Sequence, residues 1–474
     1  MKNEASIWTS VDRHAPDLID LSDRVWGTPE ICYTEYASVA EHTAMLKDKG
    51  FRVTENVAGI PTAVIGEAGE GGPVIAILGE YDALPGLSQE AGVAEPRPLP
   101  GNGHGHGCGH NLLGSAALLA ACALKDWLAE TGTPGRVRYY GCPAEEGGAA
   151  KSFMAREGAF DGVAVAITWH PHCFNEVAPA LSLANTRMDF AFAGRASHAA
   201  AAPHLGRSAL DAAQLMCAGV QYLREHVPQD SRIHYSFLDA GGVAPNVVQA
   251  HAKLRFAIRA PELPAMFELN ERVKRIAEGA AMMTDTKVEI SIMSAVSNLV
   301  PNGPLEEAMQ ANFERLGPPQ FDDADRAFAA DIQATLTPSD IASAYRGAGL
   351  RAQDTPLCDF IVARDTKRDP MIGSTDVGDV SWIVPTVQAH AATLAIGTPG
   401  HSWQVTAQGK SAQAHKAMIW VAKVMAATAQ DCLTDPDLIA RARADLDARL
   451  AVTPYICPIP AEVAPPLQPR PAAA

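Results

Sequence analysis

Three short apolar runs, each followed by polar side chains, constrain the fold of this chain most strongly. They predict buried strands at 73–79, 136–142 and 163–169. The segment 111–130, between the first two, is apolar almost throughout and predicts a mostly buried helix. Strands that alternate with helices indicate an α/β domain with a mainly parallel sheet. In such a sheet, ligands bind in the crevice at the carboxyl ends of the strands.

A glycine-rich loop between the first strand and the helix carries candidate metal ligands. Residues 101–114 read Gly-Asn-Gly-His-Gly-His-Gly-Cys-Gly-His-Asn-Leu-Leu-Gly, which places His104, His106, Cys108 and His110 on a pliable backbone. Thiolate and imidazole groups are ligands that zinc and related ions prefer. Taken alone, the loop also fits a glycine-rich turn with a buried cysteine and a capping histidine.

Two carboxylates and a further histidine follow the other two strands. Glu145 and Glu146 come after the second strand, and His170 follows the third. A metal-dependent hydrolase needs ligands from several segments and one carboxylate that is free to carry a proton. Of two adjacent glutamates, one can bind a metal ion while the other holds a water molecule. The occurrence of these residues at three consecutive strand ends favours a site with two metal ions over separate structural roles.

The pattern changes near residue 184 to that of a compact α+β insert. Its predicted strands are 186–193, 233–238, 247–259 and 288–293, and its predicted helices are 206–227 and 261–284. The first of these strands alternates like an edge strand. We therefore predict a catalytic domain made of residues 1–183 and 297–474, with an inserted domain over 184–296. The second part of the catalytic domain has a predicted strand at 391–396 and a final helix at 438–450.

Charge and composition exclude several kinds of partner. The net charge of −16 disfavours binding to nucleic acid or to an anionic membrane. The N-terminal residues have no signal-peptide pattern, and we expect no apolar run to be long enough to span a bilayer.

The nine cysteines are scattered and odd in number, which is typical of free thiols in a reducing compartment. We expect a cytoplasmic protein.

Several long motifs resemble one known family, the metallo-amidohydrolases that include aminoacylases, hippurate hydrolases and indole-acetyl-amino-acid hydrolases. The motifs that carry the resemblance lie at 79–89, 105–114, 141–148 and 168–171. Further motifs resemble the branch of this family that hydrolyses p-aminobenzoyl-glutamate, and they lie at 197–198, 203–211, 245–249, 373–382 and 454–460. Together the motifs extend over nearly the whole chain.

The resemblance implies roles for particular residues of the catalytic domain. The implied metal ligands, for two zinc or manganese ions, are Cys108, His110, Glu146, His170 and His401. Glu145 matches the general base of the family. Where many relatives carry His-x-Asp, this chain has Glu80-Tyr81-Asp82, so the role of Glu80 and Asp82 stays open.

The resemblance also implies that the insert is a lid through which two copies of the chain dimerise. His198 matches a histidine that reaches the neighbouring subunit's site and stabilises the oxyanion of the reaction. Asn246 and Arg259 match residues that hold the carboxylate of the substrate. We expect both to lie on one strand and the turn before it.

The sequence therefore predicts an amidohydrolase that cleaves N-acyl or N-aroyl amino acids, with p-aminobenzoyl-glutamate as the first candidate. Alternatives are hydrolysis of another small amide, such as an indole-acetyl-amino acid or a dipeptide, and deamination of an aromatic amine. A third alternative is a non-catalytic partner subunit of an active paralogue. A homodimer is expected, and a heteromer with a paralogous subunit stays open.

Overall fold

The computed structural model describes residues 4–368 and 373–469, and in this part of the chain the strands form two separate sheets. The strands are β1 Arg52–Glu55, β2 Val64–Glu70, β3 Val74–Glu80, β4 Gly135–Cys142, β5 Val163–His172, β6 Glu176–Val177, β7 Ala184–Ala193, β8 Arg232–Asp239, β9 His251–Ala260, β10 Lys287–Val296 and β11 Thr386–Ala392. The helices are α1 Glu4–Gly27, α2 Tyr36–Asp48, α3 His110–Thr131, α4 Ala150–Arg156, α5 Ala209–Leu223, α6 Leu263–Thr284, α7 Gly303–Leu316, α8 Asp323–Gln333, α9 Pro338–Gly347, α10 Val377–Ile383, α11 Trp403–Gln408, α12 Ala412–Thr434 and α13 Pro436–Val452.

The larger sheet has seven strands in the order β1-β2-β4-β3-β5-β11-β6. Its four central strands, β4, β3, β5 and β11, are parallel, as the sequence predicted. The strands at both edges are antiparallel to their neighbours, so the sheet is mixed. The three strands whose ends carry the candidate site residues, β4, β3 and β5, are adjacent. The polar residues that follow them therefore meet at one edge of the sheet.

Helix α3 packs in the core of this domain, against the sheet and against α1 and α12. The expectation that no segment is long enough to span a membrane was wrong, because α3 meets that criterion by length and composition. Most of its side chains are buried inside the protein, which accounts for its apolar character. Gly114 permits the close packing, since a Cβ there would overlap with the carbonyl oxygen of Glu80. This approach brings His110, at the start of α3, next to the end of β3.

The smaller sheet is antiparallel, with the order β10-β7-β9-β8, and α5 and α6 pack on one face of it. These elements extend from Ala184 to Val296. The prediction of an edge strand at 186–193 was wrong, because β7 pairs with both β10 and β9. The predicted strand at 247–259 also began too early. Residues 245–246 form a turn, Val247 makes an isolated bridge to His198, and β9 starts at His251.

The remaining differences are elements that the sequence analysis did not predict. They are the helices α1, α2, α4 and α7 to α12 and the strands β1, β2 and β6. The strand predicted at 391–396 overlaps β11 only at Ala391 and Ala392, because β11 starts at Thr386 and the chain turns at Thr393 while it stays buried. The predicted C-terminal helix is α13, whose first turn is capped by the Asp435 side chain.

Candidate metal centre

The predicted site residues surround a cavity of about 640 Å³ at the carboxyl ends of β4, β3 and β5. Its walls come from segments before Ala184 and after Val296 and from the smaller sheet. Cys108, Glu145, Glu146, His170 and His401 all line it. The fold thus brings together residues that are up to 293 positions apart in the sequence.

Two sets of candidate ligands share one cysteine. The first set is Cys108, His110 and His170, and the second is Cys108, Glu146 and His401, each with its ligand atoms within 4.8 Å of one another. Cys108 Sγ lies 3.4 Å from His170 Nε2. On the other side, His401 Nε2 lies 3.2 Å from Glu146 Oε2. The shared thiol places two candidate metal positions side by side, and that each binds an ion stays a prediction.

Hydrogen bonds orient the imidazoles of His110, which is buried, and His170, which is half-buried, toward the first of these positions. Asp82 Oδ1 accepts a hydrogen bond from His110 Nδ1 at 2.8 Å, and its Oδ2 accepts one from the Glu146 amide at 2.9 Å. His170 Nδ1 donates to the Pro171 carbonyl at 2.8 Å. Each histidine therefore presents its Nε2 atom to the cysteine side of the site. Such partners fix the tautomer and orientation of metal-binding histidines, which gives Asp82 the role that the sequence left open.

The chemistry of these donors fits divalent metal ions. Among the described residues, Glu146 Oε1 is buried without a hydrogen-bond partner, and the buried atoms His110 Nε2 and Glu80 Oε2 form no hydrogen bond but lie 3.3 Å from each other. Burial and the charge of His110 lower the pKa of His170 to about 4, so His170 is a neutral imidazole that can donate its lone pair. Burial and the Glu146 carboxylate raise the pKa of the Cys108 thiol, and a bound cation is what would stabilise the thiolate. Sulfur, nitrogen and carboxylate donors together suit zinc and, by their carboxylates, manganese.

Glu145 lies outside both sets that share Cys108. Its half-buried carboxyl faces the cavity within 4.8 Å of the candidate ligand atoms of Glu80 and His110, so these three residues could also hold a cation together. Burial and the negative charges of Glu80, Glu146 and Asp376 raise the pKa of Glu145 well above its usual range. A carboxyl group with a raised pKa is suited to accept a proton and to give it back.

The loop that carries both glutamates is held in an unusual conformation at each end. Ala144 and Ala149 have positive φ angles of 56° and 55°. The Glu35 carboxylate accepts a hydrogen bond from the Ala144 amide at 2.9 Å, and the Tyr33 hydroxyl donates to the Gly148 carbonyl at 2.7 Å. Left-handed backbone at non-glycine residues persists where the surroundings enforce it. Tyr33 and Glu35 thus fix the positions of Glu145 and Glu146.

A buried lysine links Glu80 to a residue that the sequence analysis did not single out. Lys151 Nζ lies 2.6 Å from both Glu80 Oε1 and Asp376 Oδ1, and its side chain is fully buried. Lys151 and Asp376 are 225 positions apart, so local sequence patterns could not pair them. The sequence offered only a lysine shortly after the Glu145–Glu146 pair. The network holds Glu80 in place beside the candidate metal positions.

A third group of possible ligands, His172, Glu176 and His390, lines the same cavity. Both carboxylate oxygens of Glu176 are already engaged. His390 Nδ1 lies 2.8 Å from Oε1, and Arg368 Nη1 lies 2.6 Å from Oε2. The rings of His172 and His390 stack with their centres 4.2 Å apart. We therefore interpret this group as a hydrogen-bonded wall of the cavity.

The other histidines of the glycine-rich loop take no part in the two ligand sets. His106 is buried, and its Nε2 lies 3.1 Å from the Val25 carbonyl oxygen. Burial and the charge of His110 lower the pKa of His106 to about 4. His104 lies outside both sets as well. Both histidines therefore belong to the structure of the loop.

The predicted substrate-binding residues divide into two groups. Arg259 lines the cavity and donates to Ser374 Oγ at 3.1 Å. His198 and Asn246 do not line this chain's cavity; they are exposed and adjacent on the β7–β10 domain, where the Ala199 amide donates to the Asn246 carbonyl. As expected, Asn246 lies in the turn before β9 and Arg259 lies on that strand.

A parallel-centred sheet whose strand ends hold two sets of candidate metal ligands beside a half-buried carboxyl group is the architecture of a metal-dependent hydrolase. The chain belongs to peptidase family M20/M25/M40, whose model matches residues 76–350.

Individual relatives and structures agree with this membership. The chain is 44% identical to one of the subunits of the p-aminobenzoyl-glutamate hydrolase of Escherichia coli over 457 residues, 94% of this chain and 95% of that protein. It is 29% identical to the mouse Xaa-Arg dipeptidase over 93% of this chain and 91% of the other. The fold is similar to that of YXEP from Bacillus subtilis, a dinuclear metal-binding peptidase, with a TM-score of 0.55, 18% identity and coverage of 88% and 98%.

Proposed function

We propose that the chain hydrolyses the amide bond of N-acyl or N-aroyl amino acids, with p-aminobenzoyl-glutamate as the first candidate substrate. The observation that carries this proposal is the position of Glu145 beside two ligand sets that share Cys108. The 44% identical relative is named for hydrolysis of this substrate, over nearly the full length of both chains.

Different groups in the site would carry out different steps of the hydrolysis. Two divalent ions held by the shared-cysteine sets would polarise the scissile carbonyl and lower the pKa of an attacking water toward about 7. Glu145 takes the proton from that water and then delivers it to the nitrogen of the leaving amine. The positions of the ligands and of Glu145 are fixed by hydrogen bonds with Asp82, Glu35 and Tyr33. The presence of all of these residues argues against a non-catalytic partner subunit.

The walls of the cavity orient the substrate. One wall contains Phe174, Ala348, Leu394 and Val405, which belong to a single apolar cluster. An aromatic acyl group would lie against this wall, next to the stacked ring of His172. The cavity wall also contains Arg259, which would hold the carboxylate of the leaving amino acid. This polarity favours an N-aroyl amino acid.

Arg259→Ala is expected to raise KM for an N-acyl amino acid by a factor that corresponds to about 2 to 4 kcal/mol. The substitution removes the guanidinium that would pair with the carboxylate of the substrate inside the cavity. Steady-state kinetics on the free acid and on its carboxamide measure the effect. The unmutated enzyme should prefer the acid strongly, and the variant should not. Arg255→Ala is the control, since Arg255 lies on the same strand but pairs with Asp189 at 2.7 Å. Equal preference for acid and amide in the unmutated enzyme would refute the carboxylate role.

We also propose that residues 184–296 form a lid and dimerisation domain. Strand β8 is an edge strand of its sheet, and it exposes Tyr235, Phe237 and Leu238. An unpaired edge with apolar side chains is suited to association with a second copy. His198 Nδ1 accepts hydrogen bonds from the Ala200 and Ala201 amides, so its Nε2 carries the proton and faces outward. In a dimer, that N–H would stabilise the oxyanion in the partner's site.

Mixed dimers test this role of His198. One chain carries Glu145→Gln and the other carries His198→Ala, so that only one of the two sites contains both functional residues. We expect each homodimeric variant to be nearly inactive and the mixed dimer to regain up to half of the activity of the unmutated dimer. Activity is measured after affinity purification with two different tags. Absence of any recovery would place the function of His198 within its own chain.

The metal, the assembly and the compartment are parts of the same proposal. Zinc and manganese both fit the donor set, at about two ions per chain.

The Escherichia coli relative is one subunit of its hydrolase, and another subunit of that hydrolase is 30% identical to this chain over 250 residues. The surface proposed for the homodimer, at the edge strand β8, could therefore also bind a paralogous subunit. All nine cysteines are free thiols, which fits a reducing cytoplasm.

The substrate class is tested with the purified chain alone, loaded with zinc or manganese. The panel contains p-aminobenzoyl-glutamate, an indole-acetyl-amino acid, a dipeptide that ends in arginine and a free aromatic amine. We expect release of p-aminobenzoate and glutamate at the highest kcat/KM. Preferential cleavage of the dipeptide or release of ammonia from the amine would replace this substrate with one of the alternatives.

A further inference from the structure

We propose that Arg187 binds a second carboxylate, on the side chain of the leaving amino acid, so that the site selects N-acyl derivatives of glutamate or aspartate. This inference rests on the proposed function, in which Arg259 already binds the α-carboxylate. Arg187 would then determine which leaving amino acid the site accepts, and the sequence motifs did not indicate this residue.

The register of the smaller sheet places Arg187 next to Arg259. Asn185 and Arg187 are two residues apart on β7, so their side chains project from the same face. Asn185 pairs directly with Arg259 on β9, which puts all three residues on that face. All three line the cavity. Two guanidinium groups therefore face the space in which the leaving amino acid lies.

Arg187 forms no ion pair with a carboxylate in the described part of the chain. The next acidic residue on its face, Asp189, is engaged by Lys253 and Arg255 at 2.9 and 2.7 Å. Arg187 Nη2 instead donates to the main-chain carbonyl of Glu146 at 3.3 Å. A carbonyl fixes the position of the guanidinium but does not neutralise its charge.

The guanidinium of Arg187 also lies close to the reacting centre. A Cβ added to Gly147 would overlap with Arg187 Nη1, so glycine makes room for the group directly beside Glu146. Burial and the charge of Arg187 lower the pKa of Arg259, which reflects two cations close together. With the α-carboxylate of the substrate at Arg259, a second carboxylate would pair with Arg187. A basic side chain would instead add a third cation to this part of the cavity.

The test compares three substrates that differ only in the leaving amino acid: p-aminobenzoyl-glutamate, p-aminobenzoyl-glutamine and p-aminobenzoyl-alanine. Glutamine has the shape of glutamate without its side-chain charge, and alanine keeps only the α-carboxylate. We expect Arg187→Gln to lower kcat/KM for the glutamate compound by at least about 30-fold, and for the other two by less than about threefold. Arg255→Gln, on the same face but paired with Asp189, should leave all three unchanged.

Two kinetic outcomes would overturn the inference. An equal loss on all three substrates would mean that Arg187 positions the Glu146 loop or binds the α-carboxylate. An undiminished preference for the glutamate compound in Arg187→Gln would mean that another group binds the side chain.

A binding measurement separates this inference from the proposed function. Calorimetry on the metal-loaded Glu145→Gln protein compares the glutamate and glutamine compounds without turnover. We expect the glutamate compound to bind at least about tenfold more tightly, and the added Arg187→Gln change to abolish that preference. If the unmutated enzyme cleaves neither compound but this preference holds, the proposed function fails and the inference stands. If it cleaves both compounds equally well, the proposed function stands and the inference fails.

Discussion

Glu145→Gln is expected to lower kcat by at least about 10³-fold and to leave the metal content near that of the unmutated protein. The carboxyl group faces the cavity beside Glu80 and His110 but belongs to neither of the sets that share Cys108. The amide has the same shape and cannot carry the proton from water to the leaving amine. Steady-state kinetics and metal analysis of the same preparation measure both effects.

The adjacent glutamate supplies the matched control. Glu146 Oε2 lies 3.2 Å from His401 Nε2, so Glu146→Gln removes a ligand and should lower metal content as well as activity. If Glu145→Gln lost metal while Glu146→Gln retained it, the two roles would have to be exchanged.

Cys108→Ala is expected to weaken the binding of both metal ions, by at least about 100-fold in affinity, and to abolish activity. Cys108 is the one residue common to the two ligand sets, so its loss affects both positions. His401→Ala removes a ligand from only one set and should leave the other ion bound. Titration of the apoprotein with zinc, followed by counting of bound ions, measures the difference.

Cys32→Ala is the control for the loss of a thiol near the site. The Cys32 thiol lies 3.8 Å from Asp82 Oδ2 but belongs to neither ligand set. Its removal should leave two ions bound. Full metal occupancy in Cys108→Ala would show that the sets do not share this residue, and full occupancy in His401→Ala would remove His401 from the ligands.

The sequence predicted the central architecture because local patterns carry it. Apolar runs that end in polar residues marked β3, β4 and β5, and the polar residues themselves marked the edge where the site lies. His401 differs from the other ligands, since only the family resemblance indicated it. Its position beside Glu146 depends on a segment more than 250 residues further along the chain.

Features that depend on distant neighbours could not be predicted. The alternating pattern of β7 shows that one face is more buried than the other, but it cannot show whether a strand pairs on one side or on both. Lys151 and Arg187 are single charged residues in ordinary surroundings along the sequence. Their roles come from Asp376 and Arg259, which the fold brings to them across 225 and 72 positions.

Anomalous diffraction from crystals of the zinc-loaded protein would show whether two metal ions share Cys108, on which the proposed chemistry depends. We predict two anomalous peaks per chain, both about 2.3 Å from Cys108 Sγ. One peak should lie beside His110 and His170, and the other beside Glu146 and His401. A single peak in this cavity, or two peaks of which only one contacts Cys108, would contradict the shared-cysteine arrangement.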